Sequence, residues 1–369
     1  MPSPAADPPQ AYAALVTELR EVSLLGSVGA VLSWDEQTYM PPGAAGHRAD
    51  QSALVSRLVH ERFTSPRVGE LLAAVEASGL VADPASDAAV NARVARRDYD
   101  RATKLPTALV EEMTRTEVLA QQAWSDAKKR DDYAAFRPWL DKTLGLKRQE
   151  CACVGYADDM YDALLDQYEP GETAAGVRAT FDALRGPLVD LVGRIVDSGK
   201  AAPLHLLHRH YPADAQRRFS ADTAKAVGFD FARGRLDASA HPFSTQLGKG
   251  DVRITTRYDE ADVGNAFFST LHEVGHALYN QGLPPDHHGT PRGRDVSLGI
   301  HESQSRLWEN LVGRSRAFWR FFLPKAKEAF PQALGGVSED DFWRAVNDVR
   351  PSLIRTEADE ATYNLHVLL

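Results

Sequence analysis

Two histidines and a glutamate interrupt a mostly apolar stretch of the sequence, residues 267–285, FFSTLHEVGHALYNQGLPP. His272 and His276 are four residues apart, so on an α-helix both imidazoles would lie on one face and could bind one metal ion. Glu273 lies beside that face, where its carboxylate could accept a proton from a water molecule that the metal polarises. This spacing is the H-E-x-x-H pattern of zinc-dependent peptidases.

A third ligand is needed, because catalytic zinc usually takes three protein ligands and keeps one position open. The extended form of the pattern places a Gly and then a His soon after the second histidine, but Tyr279 and Gly282 occupy those places here. A carboxylate from a later helix is the remaining common arrangement. Glu302 lies in a predicted helix over residues 299–322, and Glu309 would share its face seven residues later. The spacing favours Glu302 and leaves Glu309 open as the alternative.

The sequence around these residues predicts a mostly α-helical protein with one small sheet. Apolar residues recur at three- and four-residue spacing, and Pro and Gly fall between the segments. Thr173 and Ser338 are placed to begin helices. The one convincing strand is DVRITTRY, residues 251–258, in which side chains alternate in type. Besides the segment at 299–322, the predicted helices cover residues 11–34, 51–63, 65–79, 87–104, 106–130, 133–156 and 173–200.

Composition and charge indicate which binding partners and which cellular compartment to expect. A net charge of -9 argues against nucleic-acid binding, which needs a clustered basic face. No apolar run reaches the roughly 18 residues of a membrane span, and the N-terminus lacks the features of a secretory signal. The two cysteines, Cys151 and Cys153, form neither a disulfide framework nor a four-cysteine zinc site. We therefore expect a cytoplasmic protein with no nucleic-acid or membrane partner.

Longer stretches of the chain, from about Leu24 to its last residue, resemble the Taq-type thermostable metallocarboxypeptidases in matching order. The resemblance implies a helical, groove-bearing zinc-peptidase fold with a small β-sheet near the active site, related to neurolysin and angiotensin-converting enzyme. It also implies a cytoplasmic homodimer that releases C-terminal residues from peptides with broad specificity, using Zn²⁺, with Co²⁺ or Mn²⁺ as other options. The matching stretches are SWDEQTYMPPGAAGHRADQ, YDALLDQYEPG, GFDFARGRLDASAHPFSTQL, DVRITTRYDE, LHEVGHALYNQGLP, VSLGIHESQSRLWEN and IRTEADEATYNLHVLL.

The resemblance also implies roles for individual residues. His272, His276 and Glu302 would be the metal ligands, which selects Glu302 over Glu309, and Glu273 would be the general base. The family's His-Pro-Phe and Asp-x-Arg-x-Thr elements line the substrate groove, and the arginine of its Ile-Arg-x-x-Ala-Asp-Glu element is tied to recognition of the substrate's C-terminus. The corresponding substrate-binding positions are His241, Pro242, Phe243, Asp251, Arg253, Thr255 and Arg355.

The end of the chain departs from the family pattern. The last residues continue an apolar helical pattern to Leu369 without the usual signals of a helix C-terminus. The family's later Gly-x-x-Gln-Asp-x-His-Trp element is absent. We therefore expect one mostly helical domain over residues 1–369, truncated at its C-terminus. Two functions follow as hypotheses: a metal-dependent carboxypeptidase, or a catalytically impaired helical dimer that keeps the metal site without the C-terminal part of the active site.

Overall fold

The structure is a computed structural model that describes residues 7–353 and 358–367, and most of these residues are helical. The helices are α1 (Pro8–Thr38), α2 (Ala45–Phe63), α3 (Pro66–Glu76), α4 (Asp87–Ala102), α5 (Thr107–Arg130), α6 (Tyr133–Val154), α7 (Met160–Tyr168), α8 (Ala174–Asp197), α9 (Ala213–Ala226), α10 (Val263–Gly282), α11 (Leu298–Arg306), α12 (Arg316–Ala329), α13 (Pro331–Leu334), α14 (Glu339–Val346) and α15 (Glu360–Val367). No helix within these described ranges is both long enough and apolar enough to cross a membrane.

One three-stranded sheet accompanies the helices. Its strands are β1 (Gly234–Ala238), β2 (Ser244–Gly248) and β3 (Asp251–Thr256), in the order β1-β3-β2. Two residues join β2 to β3, and the second of them, Gly250, has a φ of +77°, a conformation that glycine adopts without strain. The predicted strand at 251–258 is confirmed as β3, the central strand. The predicted fold class, mainly α with one small sheet, is also confirmed.

The described residues form two compact units, and the first contains α1 to α6. It comprises residues within Met1–Leu164, Thr245–Val252 and Gly282–Val296. Arg20 of α1 donates a hydrogen bond to the backbone oxygen of Asp286 at 2.8 Å, which fixes the segment that follows α10 within this unit. The buried core of the unit consists of Ala11, Leu15, Leu19, Val68, Leu71, Leu72, Val75, Ala92 and Ala95, from α1, α3 and α4.

The second compact unit contains the helices that carry the H-E-x-x-H pattern and both candidate carboxylates. It comprises residues within Leu165–Ser244, Arg253–Gln281 and Ser297–Leu369. Its core is aromatic: the Trp319 ring lies 5.2 Å from the Phe267 ring and 4.5 Å from the Phe342 ring, between centroids. Burying an aromatic side chain of this kind contributes roughly 1.5–3 kcal/mol. This core packs against one face of α10. The single domain expected over residues 1–369 stays a prediction.

Several helix boundaries follow from local hydrogen bonds that the sequence predicts. Thr173 accepts from the backbone N–H of Gly176 at the start of α8, and Ser338 accepts from the N–H of Asp341 at the start of α14. The prediction of one continuous helix over residues 299–322 is wrong. There α11 passes into a six-residue π-helical segment, Leu307–Val312, and α12 begins after a new N-cap at Ser315.

The backbones of α10 and α11 approach each other closely at Gly275. A Cβ atom at this position would lie 2.6 Å from the Cα of Ser305 and would also overlap the backbone of Gln304. Real Cβ atoms essentially never come so near to backbone atoms, so only glycine permits this spacing. Since Gly275 immediately precedes His276, the contact sets the distance between the two helices at the H-E-x-x-H pattern.

We therefore predict that Gly275→Ala destabilises the protein by about 1–3 kcal/mol, the usual penalty of overpacking a close contact. Gly193→Ala is the matched control, because Gly193 lies inside α8 with no atom within 4 Å of its would-be Cβ. That control should be neutral or stabilising by about 0.4–1 kcal/mol. Urea unfolding of the two variants measures both effects, and equal stability of the two would contradict the close contact.

Candidate metal centre

Polar caps fix the starts of the two helices that form the centre. Asp262 Oδ1 accepts from the backbone N–H of Gly264 at 2.8 Å and of Asn265 at 3.2 Å, where α10 begins. At the start of α11, Ser297 Oγ accepts from the N–H of Ile300 at 3.3 Å. These bonds satisfy backbone donors that a helix N-terminus leaves without partners.

Glu169 also caps α11, although it lies far away in the sequence. Its Oε2 accepts from the N–H of Gly299 at 3.1 Å. A carboxylate in this position also interacts favourably with the positive end of the helix dipole. Sequence reasoning missed this contact, because nothing in the YDALLDQYEPG stretch indicates which helix its glutamate caps.

The structure brings His272, His276 and Glu302 together. Glu302 Oε2 lies 3.3 Å from His276 Nε2 and 3.7 Å from His272 Nε2. One ligand atom from each of the three residues lies within 4.8 Å of the other two. Within residues 7–353 and 358–367, no other three His, Cys, Asp or Glu side chains bring their ligand atoms this close together. Two imidazole nitrogens and one carboxylate oxygen are the donor set of catalytic zinc sites. The residues present therefore fit a divalent metal ion.

Packing orients the second histidine. The ring of His276 lies 4.4 Å from the ring of His301, between centroids, at an angle of 31°. Its Nδ1 is buried and has no hydrogen-bond partner among the described residues, while its Nε2 faces Glu302. The ring is thus held by its neighbours with Nε2 toward the candidate centre.

Glu273 is buried beside the two histidines, with 6% of its surface exposed. Burial is the main reason that the pKa of Glu273 rises to about 7; Glu302 and Glu309 add to the rise, and His272 and His276 oppose it. A cation bound nearby would favour the charged form and lower this pKa. A carboxyl group whose pKa lies near neutrality can both accept and return a proton at working pH.

Glu309 faces the opposite side of the His272 ring from Glu302. Its Oε2 lies 2.9 Å from His272 Nδ1, whereas Glu302 is near Nε2 of the same ring. Burial alone would lower the pKa of His272, but the hydrogen bond to Glu309 and the negative charges of Glu273, Glu309 and Glu302 outweigh it and raise that pKa. The residue that spacing left open as a rival ligand is therefore a hydrogen-bond partner of His272, a candidate ligand, in this structure.

Glu302 and Glu309, on opposite sides of the His272 ring, both favour the charged form. For Glu302 burial acts to raise the pKa, but the hydrogen bond with His276 and the charges of both histidines lower it overall. For Glu309 burial is again outweighed, by the hydrogen bond and charge of His272 and by two arginines, so its pKa is also lowered. Both groups are then available as anionic acceptors.

The predicted substrate-binding residues lie on and around the sheet. Thr255 is fully buried in β3. Its hydroxyl oxygen accepts hydrogen bonds from Ser239 Oγ at 2.7 Å and from the N–H of Phe243 at 3.0 Å. Any influence of Thr255 on a peptide would therefore pass through the segment that contains Phe243. Among the others, His241 is exposed, Pro242, Phe243, Asp251 and Arg253 are half-buried, and Arg355 lies outside the described residues.

Comparison with known proteins identifies the family. The family model described as Carboxypeptidase Taq (M32) metallopeptidase matches residues 14–369. Thermostable carboxypeptidase 1 of Thermus thermophilus is 50% identical over an aligned length of 372 residues including gaps; the alignment covers 98% of this chain and 72% of that relative. Carboxypeptidase 1 of Bacillus subtilis is 36% identical over 351 residues, which cover 95% of this chain and 70% of that relative.

A solved structure agrees with these matches. The M32 carboxypeptidase from Deinococcus radiodurans R1 superposes with a TM-score of 0.87 at 42% sequence identity, covering 97% of this chain and 71% of that chain. Metallopeptidases require a divalent metal, and a His/His/Glu group able to hold one is present in the described residues. The chain therefore belongs to the Carboxypeptidase Taq (M32) metallopeptidase family and is a peptidase.

Proposed function

We propose that this enzyme releases C-terminal amino acids from peptides by hydrolysis at a zinc centre formed by His272, His276 and Glu302. The observation that carries the proposal is the convergence of these three ligand atoms within 4.8 Å, with the buried carboxyl group of Glu273 beside them. When bound, the ion supplies a Lewis acid that polarises water and the scissile carbonyl group. Zn²⁺ suits this donor set, and Co²⁺ or Mn²⁺ could replace it.

Glu273 would act as the general base. Its carboxylate takes one proton from the attacking water as the water oxygen bonds to the carbonyl carbon of the scissile peptide. It then donates that proton to the departing amine nitrogen as the C–N bond breaks, so that the glutamate ends in its starting state. The burial of Glu273 supports this role, because burial raises the pKa of its carboxyl group and makes it a stronger proton acceptor than an exposed glutamate.

Release of C-terminal residues requires a cation that binds the terminal carboxylate of the peptide. Arg355 is the first candidate by its position in the Ile-Arg-x-x-Ala-Asp-Glu element, and Arg253 of β3 is the second. A guanidinium group matches a carboxylate with two parallel hydrogen bonds. A strand such as β3 could in addition pair with an extended peptide through its backbone. His241, Pro242, Phe243, Asp251 and Thr255 complete the proposed substrate-binding set.

Broad side-chain specificity, a cytoplasmic location and a homodimeric assembly belong to the same proposal. They are supported by the resemblance of the sequence to the family, whose model matches residues 14–369. The alternative, a non-catalytic dimer, is not favoured. The family model matches residues 14–369, and the matched relatives are named carboxypeptidases, which supports the catalytic function.

We predict that Glu273→Gln still binds Zn²⁺ but loses peptide hydrolysis, because an amide cannot accept the proton from water. Loss of a general base typically lowers the rate about a hundred- to ten-thousandfold. Glu328→Gln, at an exposed position of α12, makes the same chemical change away from the centre and should hydrolyse normally. Steady-state kinetics with a short peptide measure both variants, and full turnover by Glu273→Gln would refute the assigned role.

We predict that Arg355→Ala weakens hydrolysis of peptides with a free C-terminal carboxylate by about ten- to a hundredfold. This range corresponds to the roughly 1.5–3 kcal/mol of a hydrogen bond to a charged group. Cleavage of the same peptides with an amidated C-terminus, already slow, should change much less. Arg178→Ala, at an exposed position of α8, is the control for loss of a surface arginine. Equal losses on the two peptides would mean that another group binds the carboxylate, with Arg253→Ala as the next variant.

A further inference from the structure

The two ring nitrogens of His272 have different carboxylate neighbours. Nδ1 lies 2.9 Å from Glu309 Oε2, a normal hydrogen-bond distance, and Nε2 lies 3.7 Å from Glu302 Oε2 on the side of the candidate metal. An ionised carboxylate can only accept a hydrogen bond, so Nδ1 must carry the proton in this pair. The neutral ring then presents the lone pair of Nε2 toward His276 and Glu302.

Two arginines flank the Glu309 carboxylate and keep it ionised. Arg306 Nη1 lies 3.6 Å from Glu309 Oε2, and Arg314 Nη2 lies 3.8 Å from Glu309 Oε1. Both distances are within ion-pair range, and the carboxylate is 17% exposed, so solvent screens these charges only in part. Glu309 is thus an acceptor with a fixed charge rather than a mobile side chain.

The arginines are themselves held in place. Arg314 Nε donates to Asn310 Oδ1 at 2.9 Å, and its guanidinium lies 3.9 Å from the centre of the Phe268 ring. Arg306 is ion-paired with Glu360 and lies 4.4 Å from the centre of the Tyr363 ring. Each arginine therefore has partners other than Glu309, and their positions fix the direction in which the carboxylate points.

The backbone also contributes to this arrangement. Glu309 lies in the π-helical segment Leu307–Val312, directly after α11, which carries Glu302. Segments of this kind are rare and are frequently found at functional sites. Here the segment places the second carboxylate on the far side of the same imidazole that the first one faces.

We propose that Glu309 is a positioning residue for the metal centre: it holds His272 through Nδ1, so that Nε2 is fixed as a metal ligand. The inference rests on the proposed metal site and adds a residue that does not itself bind the metal. Hydrogen-bonded partners of this kind fix the tautomer and orientation of the ring, and their loss typically lowers metal affinity about ten- to a hundredfold.

The test measures the dissociation constant of Zn²⁺ for the protein by competition with a chromophoric chelator. It needs no peptidase assay. We expect Glu309→Ala to weaken binding about ten- to a hundredfold. Glu309→Gln keeps an oxygen acceptor but loses its charge, and should weaken binding less, by about five- to tenfold. Glu328→Gln is the control, because it makes the same chemical change at an exposed position of α12; its affinity should stay within about twofold of the wild type.

A second measurement separates positioning from unfolding. Glu309→Ala leaves the half-buried Arg314 without its carboxylate, so circular dichroism and thermal unfolding of the metal-free variants accompany the titrations. If the alanine variant does not fold, the isosteric Glu309→Gln carries the test. In the Co²⁺-loaded protein, the visible absorption bands of the metal should also change in folded Glu309 variants but not in Glu328→Gln.

The measurements distinguish failure of the positioning role of Glu309 from failure of the proposed metal site. If the wild-type protein does not bind Zn²⁺, or if His272→Ala binds it as tightly as the wild type, the metal site itself is wrong. If the wild type binds and His272→Ala does not, but both Glu309 variants keep wild-type affinity and unchanged Co²⁺ spectra, only the positioning role is overturned.

Discussion

The close approach of α10 and α11 at Gly275 is the constraint on which the metal centre depends. Ligands from both helices can meet around one ion only if the two backbones are near each other at that level. A side chain at position 275 would contact the backbone at Gln304 and Ser305 and hold the helices apart. The aromatic core behind α10 then keeps the histidine-bearing face turned toward α11. One residue without a side chain thus allows three others to converge.

Close packing of these helices also brings together charges that are costly to bury. The structure compensates the two more buried carboxyl groups beside the histidines, Glu309 and Glu273, in different ways. Glu309 is paired with His272 and flanked by two arginines, and its pKa is lowered. Glu273 has no arginine among its charged neighbours, and burial raises its pKa to about 7. The first arrangement suits a fixed acceptor, and the second suits a group that exchanges protons during a reaction.

The sequence predicts the parts of this centre that depend on local spacing. A four-residue separation places His272 and His276 on one face of any α-helix, and cap residues such as Thr173 and Ser338 act through bonds within one turn. Spacing favours Glu302 over Glu309 without excluding Glu309, and the resemblance to the family is what selects Glu302. Residues seven apart share a helix face, and only the packing of α11 against α10 shows that Glu302 meets Nε2 and Glu309 meets Nδ1.

Other features could not be predicted because distant parts of the chain determine them. Strands β1 and β2 have five residues each, too few for a clear alternation, and pairing with β3 defines them. Alternation along β3 places Thr255 on the opposite face from the buried Val252, yet Thr255 is buried too, since Ser239 and Phe243 cover it. The change from α11 to a π-helical segment has no signal in the sequence that we can identify.

The most direct test of the metal centre is a crystal structure of the Zn²⁺-loaded protein, with anomalous scattering measured at the zinc edge. The account predicts one strong peak, with Zn–N distances of about 2.0–2.1 Å to Nε2 of His272 and His276 and a Zn–O distance of about 2.0–2.2 Å to Glu302. Glu309 should remain hydrogen-bonded to Nδ1 of His272. A peak elsewhere, or coordination by Glu309 with Glu302 turned away, would contradict the account.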